Sequence, residues 1–336
     1  MQVETPGAGN ITAVTERAYH ALQNGAVVAD RSSRLRMRFS GEKSAESLTG
    51  LVTSDVAALS AGRGQYAAAL TPKGKVITDA RIFARTDGFL VDVTAAAAPG
   101  WVAMIRKFVN PRLAKYEDVS QNTGDVGIFG SGAATVLRSV LGNDAIPPEA
   151  PYATVHVGEL MVARVPDFGV DGFDVIGPRA EVDALRARLA AAGAVEEFGD
   201  ALLVARIEAG RPEWGVDMDD NLLAQEVDMD RLEAISFTKG CYTGQETVAR
   251  VHYRGHVNRL LRGLRFSESA VPPVGTELQD AEGKAVGTVK SGAISPRRGA
   301  IALAVVRREI EPGSVLRASW SDRNVDATVE QLPFPG

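Results

Sequence analysis

Residues 237–259 read Phe237-Thr-Lys-Gly-Cys-Tyr-Thr-Gly-Gln-Glu-Thr-Val-Ala-Arg-Val-His-Tyr-Arg-Gly-His-Val-Asn-Arg259, and the rest of the chain is organised around them. The stretch holds the only cysteine of 336 residues, Cys241, and two of the four histidines, His252 and His256. Thr243 followed by Glu246 has the spacing of a capping box, in which each side chain satisfies an orphan backbone donor of the first turn. The spacing predicts a helix from Gly244 to about His252, stopping near Gly255. Cys241 then precedes a helix N-terminus and lies two residues from Lys239. A positive dipole end and a nearby ammonium both favour thiolate over thiol. The plainer alternative is an inert buried hydrophobe. Loop glycines at 240 and 244, a capped helix and a flanking lysine describe instead a thiol held at a surface.

Bulk composition bounds the rest. Apolar content of 45% and charged content of 24% are those of a soluble globular chain long enough for two or three domains. The formal net charge of −5 argues against nonspecific nucleic-acid binding. One cysteine forms no internal disulfide, so the fold needs no oxidising compartment. Met1 to Thr15 lacks a basic start followed by an apolar run, and no stretch approaches the length of a membrane span. The expectation is a cytoplasmic protein with neither nucleic acid nor membrane as partner.

Taken in order, the chain starts with small and polar residues through Gly9, the composition of a loose end, and Ala13 to Gln23 suits a short helix. Arg34-Leu-Arg-Met-Arg-Phe39 alternates strictly, placing Leu35, Met37 and Phe39 on one face of a strand. Three arginines occupy the other face, which is ordinarily solvated and alternatively meets a polyanion. Ser44 to Ser60 reads as helix, loop and helix. Strands follow at Tyr66 to Leu70, Val76 to Phe83 and Phe89 to Val93, with a type I turn at Thr71-Pro-Lys-Gly74 and a tight turn at Asp87-Gly88. Further helices are predicted over Ala97 to Val109, Ser131 to Leu141 and Ala180 to Ala192, and further strands over Val126 to Phe129, Thr154 to Val165 and Phe173 to Ile176. Strands in groups with helices between them point to an α+β protein with largely antiparallel sheets. Leu260 to Gln331 changes character to short β-rich runs separated by Gly and Pro turns, the pattern of a small β-barrel or sandwich. Arg254 to Arg262 reads as the hinge between these parts.

Candidate chemistry is sparse. Asp200 to Gly210 suits a helix with Asp200 as N-cap, and Arg206 shares its apolar face with Leu203 and Ile207. A buried arginine needs a partner, either a structural carboxylate or a ligand anion. Asp167-Phe-Gly-Val-Asp-Gly-Phe-Asp174 carries three acids but lacks the spacing of a calcium loop. Carboxylates there suit a nitrogen-rich heterocycle, with turn capping by Asp171 the structural alternative. Asp79 falls on a half-buried strand face, where it could exchange a proton. Asp217, Asp219, Asp220, Asp228 and Asp230 read as solvated loop carboxylates. Trp214 and Tyr242 read as core, with stacking on a flat ring the alternative. No Ser/His/Asp arrangement, HxxxH pair, Walker loop or GxGxxG pattern is present, and no metal site is predicted.

Phe237-Thr-Lys-Gly-Cys-Tyr-Thr-Gly-Gln-Glu246 resembles the Lys-Gly-Cys-[Tyr/Phe]-x-Gly-Gln-Glu signature of the YgfZ-type folate-binding proteins, relatives of the glycine-cleavage T-protein, an aminomethyltransferase. Gly50-Leu-Val-Thr-Ser-Asp55, Thr71-Pro-Lys-Gly-Lys75, Asp171-Gly-Phe-Asp174 and Arg206-Ile-Glu-Ala-Gly210 occur in the expected order, so the resemblance runs from about Leu35 to the C-terminus. It implies a T-protein-like cloverleaf of interleaved α+β domains around a central channel, with a folate-binding module over residues 1–255 and a C-terminal β-barrel over residues 260–336. It also implies tetrahydrofolate or a one-carbon derivative in the channel. By the same resemblance Asp174 replaces a pterin-holding glutamate, Arg206 matches a folate-site arginine, and Asp79 lies at or next to the T-protein's catalytic aspartate.

Where the T-protein typically has Lys-Gly-Asp-Phe-x-Gly, this chain has Lys239-Gly-Cys-Tyr-Thr-Gly244. The cysteine branch resembles factors that help assemble or repair iron–sulfur clusters, which would make Lys239 and Cys241 the working residues and iron–sulfur enzymes the partners. A cluster usually takes about four thiolates, so Cys241 alone cannot hold one. Shared ligation, reduction and reversible capping all remain open to it. The rival readings are a one-carbon transferase and a pure scaffold.

Overall fold

A computed structural model describes residues 13–335, with helix and strand placed throughout that span. The loose end expected through Gly9 lies outside the described residues. The chain begins with helix Ala13–Asn24 and a four-residue strand, Val27–Asp30, then leaves that sheet to build a second one before returning. The second sheet has five antiparallel strands in the order Gly64–Leu70, Val76–Arg85, Gly88–Val93, Leu35–Ser40, Lys115–Asp118. On its return the chain completes a six-stranded sheet in the order Val195–Glu196, Val27–Asp30, Thr123–Phe129, Gly172–Pro178, Leu160–Arg164, Thr154–Val157. Only the first pair of that sheet is parallel. The fold is therefore α+β and largely antiparallel, with one sheet inserted in sequence between strands of the other.

Each sheet buries an apolar face beneath helices. Helices Ser44–Leu51 and Ala98–Phe108 cover the five-stranded sheet over Phe39, Ile82, Val91 and Trp101. Helices Ala133–Leu141 and Arg179–Ala191 cover the six-stranded one over Val28, Ile128, Phe173 and Leu185. The opposite faces meet in a shared core that takes Val27, Tyr66, Phe83 and Phe129 together with Ile207 and Leu303. The C-terminal region closes into a six-stranded barrel, Arg259–Phe266, Gly299–Arg307, Ala285–Ser295, Glu277–Gln279, Val315–Trp320 and Arg323–Glu330. Its tail then returns to helix Asp200–Glu208, where Phe334 N–H donates to the Glu208 carbonyl at 3.0 Å.

The arginine-bearing face of Leu35–Ser40 is not solvated as expected. Arg36 is fully buried, with its guanidinium donating to Thr123 Oγ1 and to the carbonyls of Ser32, Ser120 and Thr123. Arg34 is paired with the buried Asp92, and only Arg38 remains at the surface, 2.5 Å from Asp87. The alternation assigned the two faces correctly, but the six-stranded sheet covers the inner part of the polar one, where Arg36 meets Thr123. Short strands such as Val27–Asp30, Lys115–Asp118 and Glu277–Gln279 carry too few residues for a period-two pattern to stand out.

Candidate functional site

Where the two sheets meet helix Asp200–Glu208, the backbone leaves a cavity of about 610 Å³. Ala29, Arg31 and Phe168 face it from the six-stranded side, and Tyr66, Asp79 and Arg81 from the five-stranded side. Leu202, Leu203 and Arg206 come from the helix, and Arg211 and Trp214 from the loop after it. The volume suits a small organic molecule, and aromatic walls with a few convergent charges are the usual lining of such sites.

Asp79 is one of five acids lining the cavity, with Asp30, Asp167, Glu197 and Glu213. It is half-buried, while the adjacent Thr78 is fully buried and bonds the Asp79 carbonyl at 2.7 Å. Tyr66 Oη donates to Asp79 Oδ2 at 2.9 Å, whereas Asp79 Oδ1 is buried without a partner among the described residues. Trp214 also lines the cavity, and its Nε1 is a buried donor with no acceptor among the described residues. An unpaired buried acceptor and donor are costly unless something else meets them. Burial and the neighbouring Asp79 carboxylate raise the Tyr66 phenol well above its ordinary pKa, so its proton stays in place.

Asp174 lies behind the wall instead of lining it. Fully buried on strand Gly172–Pro178, it is bonded to Arg81 and lies 3.4 Å from Arg31 Nε. Arg81 also meets Asp92 at 2.9 Å and Asp125 at 3.4 Å, joining four strands of two sheets in one ionic network. Burial alone would lower the Arg81 guanidinium, but Asp92, Asp174, Asp167 and Asp125 outweigh it and push it well up. Burial would likewise raise Asp167, yet Arg31, Arg81 and Arg211 hold its carboxyl well below the usual range. Asp125 goes the other way. Burial, reinforced by the Asp174 charge, pushes it up to about 8. Asp174 is thus held in an ion-pair network and does not line the cavity, and Asp171 is engaged with Arg164.

Arg206 has a structural carboxylate partner and also borders the cavity. Its Nη1 lies 2.5 Å from Asp217 Oδ2 and donates to the Arg211 carbonyl at 2.8 Å, while its side chain borders the cavity. Asp217, expected in solvent, is fully buried and also accepts from Glu213 N–H, Ser291 N–H and Ser291 Oγ. Ser291 belongs to the barrel, so this aspartate ties the barrel to the cavity-forming helix. That helix begins at Asp200 with Gly199 as its cap, and Glu197 Oε1 takes the Gly199 and Ala201 N–H groups at 2.7 and 2.9 Å. Asp200 is thus the first helical residue, not the cap.

The cysteine loop stands elsewhere. Cys241 is exposed and does not line the cavity. Lys239 points away into the protein, its ammonium bonded to the Thr49 carbonyl, to Val52 O at 2.6 Å and to Ser54 O at 3.1 Å. It also lies 4.6 Å from the centre of the Tyr242 ring. Burial lowers the Lys239 pKa to about 8, while the three carbonyls favour the charged form. Lys239 therefore latches the loop to the end of helix Ser44–Leu51. The expected capping box is absent. Helix Gln245–Arg254 starts after Gly244, whose φ of 87° makes it the cap, so Glu246 falls one position too early to reach back. Gly244 is required there, because a Cβ would sit 2.6 Å from the Thr71 carbonyl. His252 stacks on Phe237 with ring centres 3.7 Å apart, closing the loop against its helix.

Sequence reasoning singled out Asp79 and Arg206, and the fold brings both to the cavity. It overlooked Tyr66, Arg31, Arg81 and Phe168, which lie in unremarkable strand and loop patterns and become neighbours only through sheet register. Two sheets interleaved in sequence with a polar cavity between them, and an appended closed barrel, define a cloverleaf α+β protein. The GCVT N-terminal domain family matches residues 6–239, and the glycine cleavage T-protein C-terminal barrel domain matches residues 259–335. The chain belongs to this T-protein superfamily, with YgfZ-type proteins among its relatives.

An aminomethyltransferase of Saccharopolyspora erythraea is 28% identical over 326 residues, covering 94% of this chain and 88% of that protein. A tRNA-modifying protein YgfZ of Yersinia pseudotuberculosis is 30% identical over 296 residues, covering 85% and 86% respectively. The crystal structure of glycine cleavage system aminomethyltransferase T from Bartonella henselae superposes with a TM-score of 0.85 at 20% identity over 96% of this chain and 89% of that one, a likeness of fold. Among the described residues no helix is long and apolar enough to cross a membrane.

Proposed function

We propose that the cavity binds a reduced folate, tetrahydrofolate or a one-carbon derivative, and that the protein is a cytoplasmic accessory factor serving iron–sulfur enzymes through Cys241. In this reading residues 1–255 form the folate-binding module and residues 260–336 the barrel domain. The observation that carries the folate part is the unpartnered Asp79 Oδ1 in a cavity walled by Phe168, Trp214 and arginines. A reduced pterin offers N–H donors and acceptors along its ring edge, which suits Asp79 as acceptor and Trp214 Nε1 as donor, and ring faces that suit the aromatic side chains as walls. Arg206 and Arg211 supply cationic edges for carboxylates. Tetrahydrofolate, when bound, supplies nitrogens able to carry a one-carbon unit. The chain's own part is to enclose it, present one oriented carboxylate and keep water from that face.

A melting experiment with and without excess tetrahydrofolate, on wild type and Asp79→Asn, tests this. At about 100 times its dissociation constant the ligand adds about 2.7 kcal/mol of stability. A wild-type shift that shrinks in the variant is expected, and no shift in wild type sinks the reading. Exposure of Cys241 supports the thiol part, since a single thiolate at the surface can join ligands from a client protein around a cluster that is its substrate. Cells carrying Cys241→Ser should lose activity of iron–sulfur enzymes, and unimpaired activity would favour a scaffold. The second reading, a one-carbon transferase, is favoured by the presence of Asp79 in the cavity, and formation of methylene-tetrahydrofolate from an amine donor would decide for it.

A further inference from the structure

Asp79 is placed by its neighbour on the adjacent strand. Strands Gly64–Leu70 and Val76–Arg85 pair with Ala68 opposite Asp79 and Tyr66 opposite Arg81. Side chains two apart on a strand share a face, so the small Ala68 leaves room for the Tyr66 ring to reach diagonally to the Asp79 carboxylate. The contact is a single hydrogen bond of 2.9 Å to Oδ2.

The Tyr66 ring is itself in contact with two further side chains. Tyr152 lies parallel to it, with 9° between the planes and 6.1 Å between centres, and the Arg211 guanidinium sits 4.9 Å from the ring centre. Arg211 is held in turn by Tyr152 Oη at 2.7 Å and by Asp167 at 3.3 Å. A ring so placed brings its hydroxyl to the Asp79 carboxylate, to which it donates. With Oδ2 engaged, the carboxylate cannot rotate freely, and Oδ1 is the oxygen left for a ligand.

We propose that Tyr66 is the positioning residue of the cavity: its hydroxyl locks the Asp79 carboxylate so that Oδ1 is presented to a bound N–H group. The proposal rests on the folate reading for its ligand but not for its geometry. A hydrogen bond to a charged acceptor is worth enough that its loss should weaken tetrahydrofolate binding about tenfold.

The test uses the full chain as Tyr66→Phe, Asp79→Asn and the double variant. Phe keeps the ring and its contacts with Tyr152 and Arg211, so folding is retained. Tetrahydrofolate affinity should fall about tenfold in Tyr66→Phe, yet change by less than about twofold when the same substitution is made in Asp79→Asn. Equal losses in both backgrounds overturn the proposal, because a merely structural tyrosine acts independently of Asp79. A second measurement needs no ligand. The carboxyl carbon resonance of Asp79 should move on Tyr66→Phe, and an unmoved resonance overturns the proposal. Failure of wild type to bind tetrahydrofolate removes the folate reading alone, since the resonance still decides the role of Tyr66.

Discussion

Arg81 of the five-stranded sheet, in the cavity wall, and Asp174 of the six-stranded sheet, behind it, form a buried ion pair. This pair joins two layers that the chain builds from separated segments. It also explains why a carboxylate matched by motif to ligand binding lies outside the cavity. Arg31, 3.4 Å from Asp174 and 2.8 Å from Asp167, extends the same network to the cavity surface.

Removing Asp174 leaves Arg81 and Arg31 short of a buried counter-charge. Breaking such a pair from one side costs about 3–5 kcal/mol. Asp174→Ala is therefore expected to lower the urea midpoint strongly with or without tetrahydrofolate. A loss below about 1 kcal/mol would show the network to be dispensable.

The same network predicts a pH profile. Asp125 has a folded-state pKa of about 8, raised from 3.8, so its contribution is fully present in acid and is lost as pH rises towards 8. Asp92 and Asp167 are held below the ordinary range by arginines, so their contributions are present at neutral pH and fade in acid. Stability should peak in the mildly acidic range. Asp125→Asn should flatten the decline between pH 5 and pH 8, measured as melting temperature across that interval. A variant declining as steeply as wild type would remove Asp125 as its source.

Lys239→Met takes a cation from three backbone carbonyls that the fold leaves facing one another. Hydrogen bonds to charged groups and the penalty for stranded acceptors imply a loss of about 2 kcal/mol. Chemical denaturation should report it, and an unchanged midpoint would return Lys239 to a role in chemistry.

Two glycines of the cysteine motif should behave oppositely. Gly244 has φ 87° and no room for a Cβ, so Gly244→Ala should cost about 2 kcal/mol or more. Gly240 has nothing within 4 Å of such an atom, so Gly240→Ala should stay within about 0.5 kcal/mol of wild type. Similar costs at both positions would contradict the close approach to the turn at Thr71.

The strand alternation of Leu35, Met37 and Phe39, the turn at Asp87-Gly88 and the change to short β-rich runs after Leu260 were legible because each depends on neighbouring residues. Backbone periodicity and turn chemistry are local, and they placed most helices and strands within a few residues. The capping box failed on a local detail. Gly244 adopts a left-handed conformation beside Thr71, a contact 173 residues away in sequence.

What the amino-acid order alone determined is the α+β class, the barrel and the family motif, since these follow from short-range pattern. Tertiary structure alone decided which charges are ligands and which are struts. Arg36, Asp217 and Lys239 look like surface or reactive groups in sequence, yet all three are buried and bonded to segments distant in sequence. Tyr66 meets Asp79 only because Ala68 pairs with it in register. A charge's role depends on the dielectric and the partners around it, and those come from segments that approach only when the two sheets close on each other.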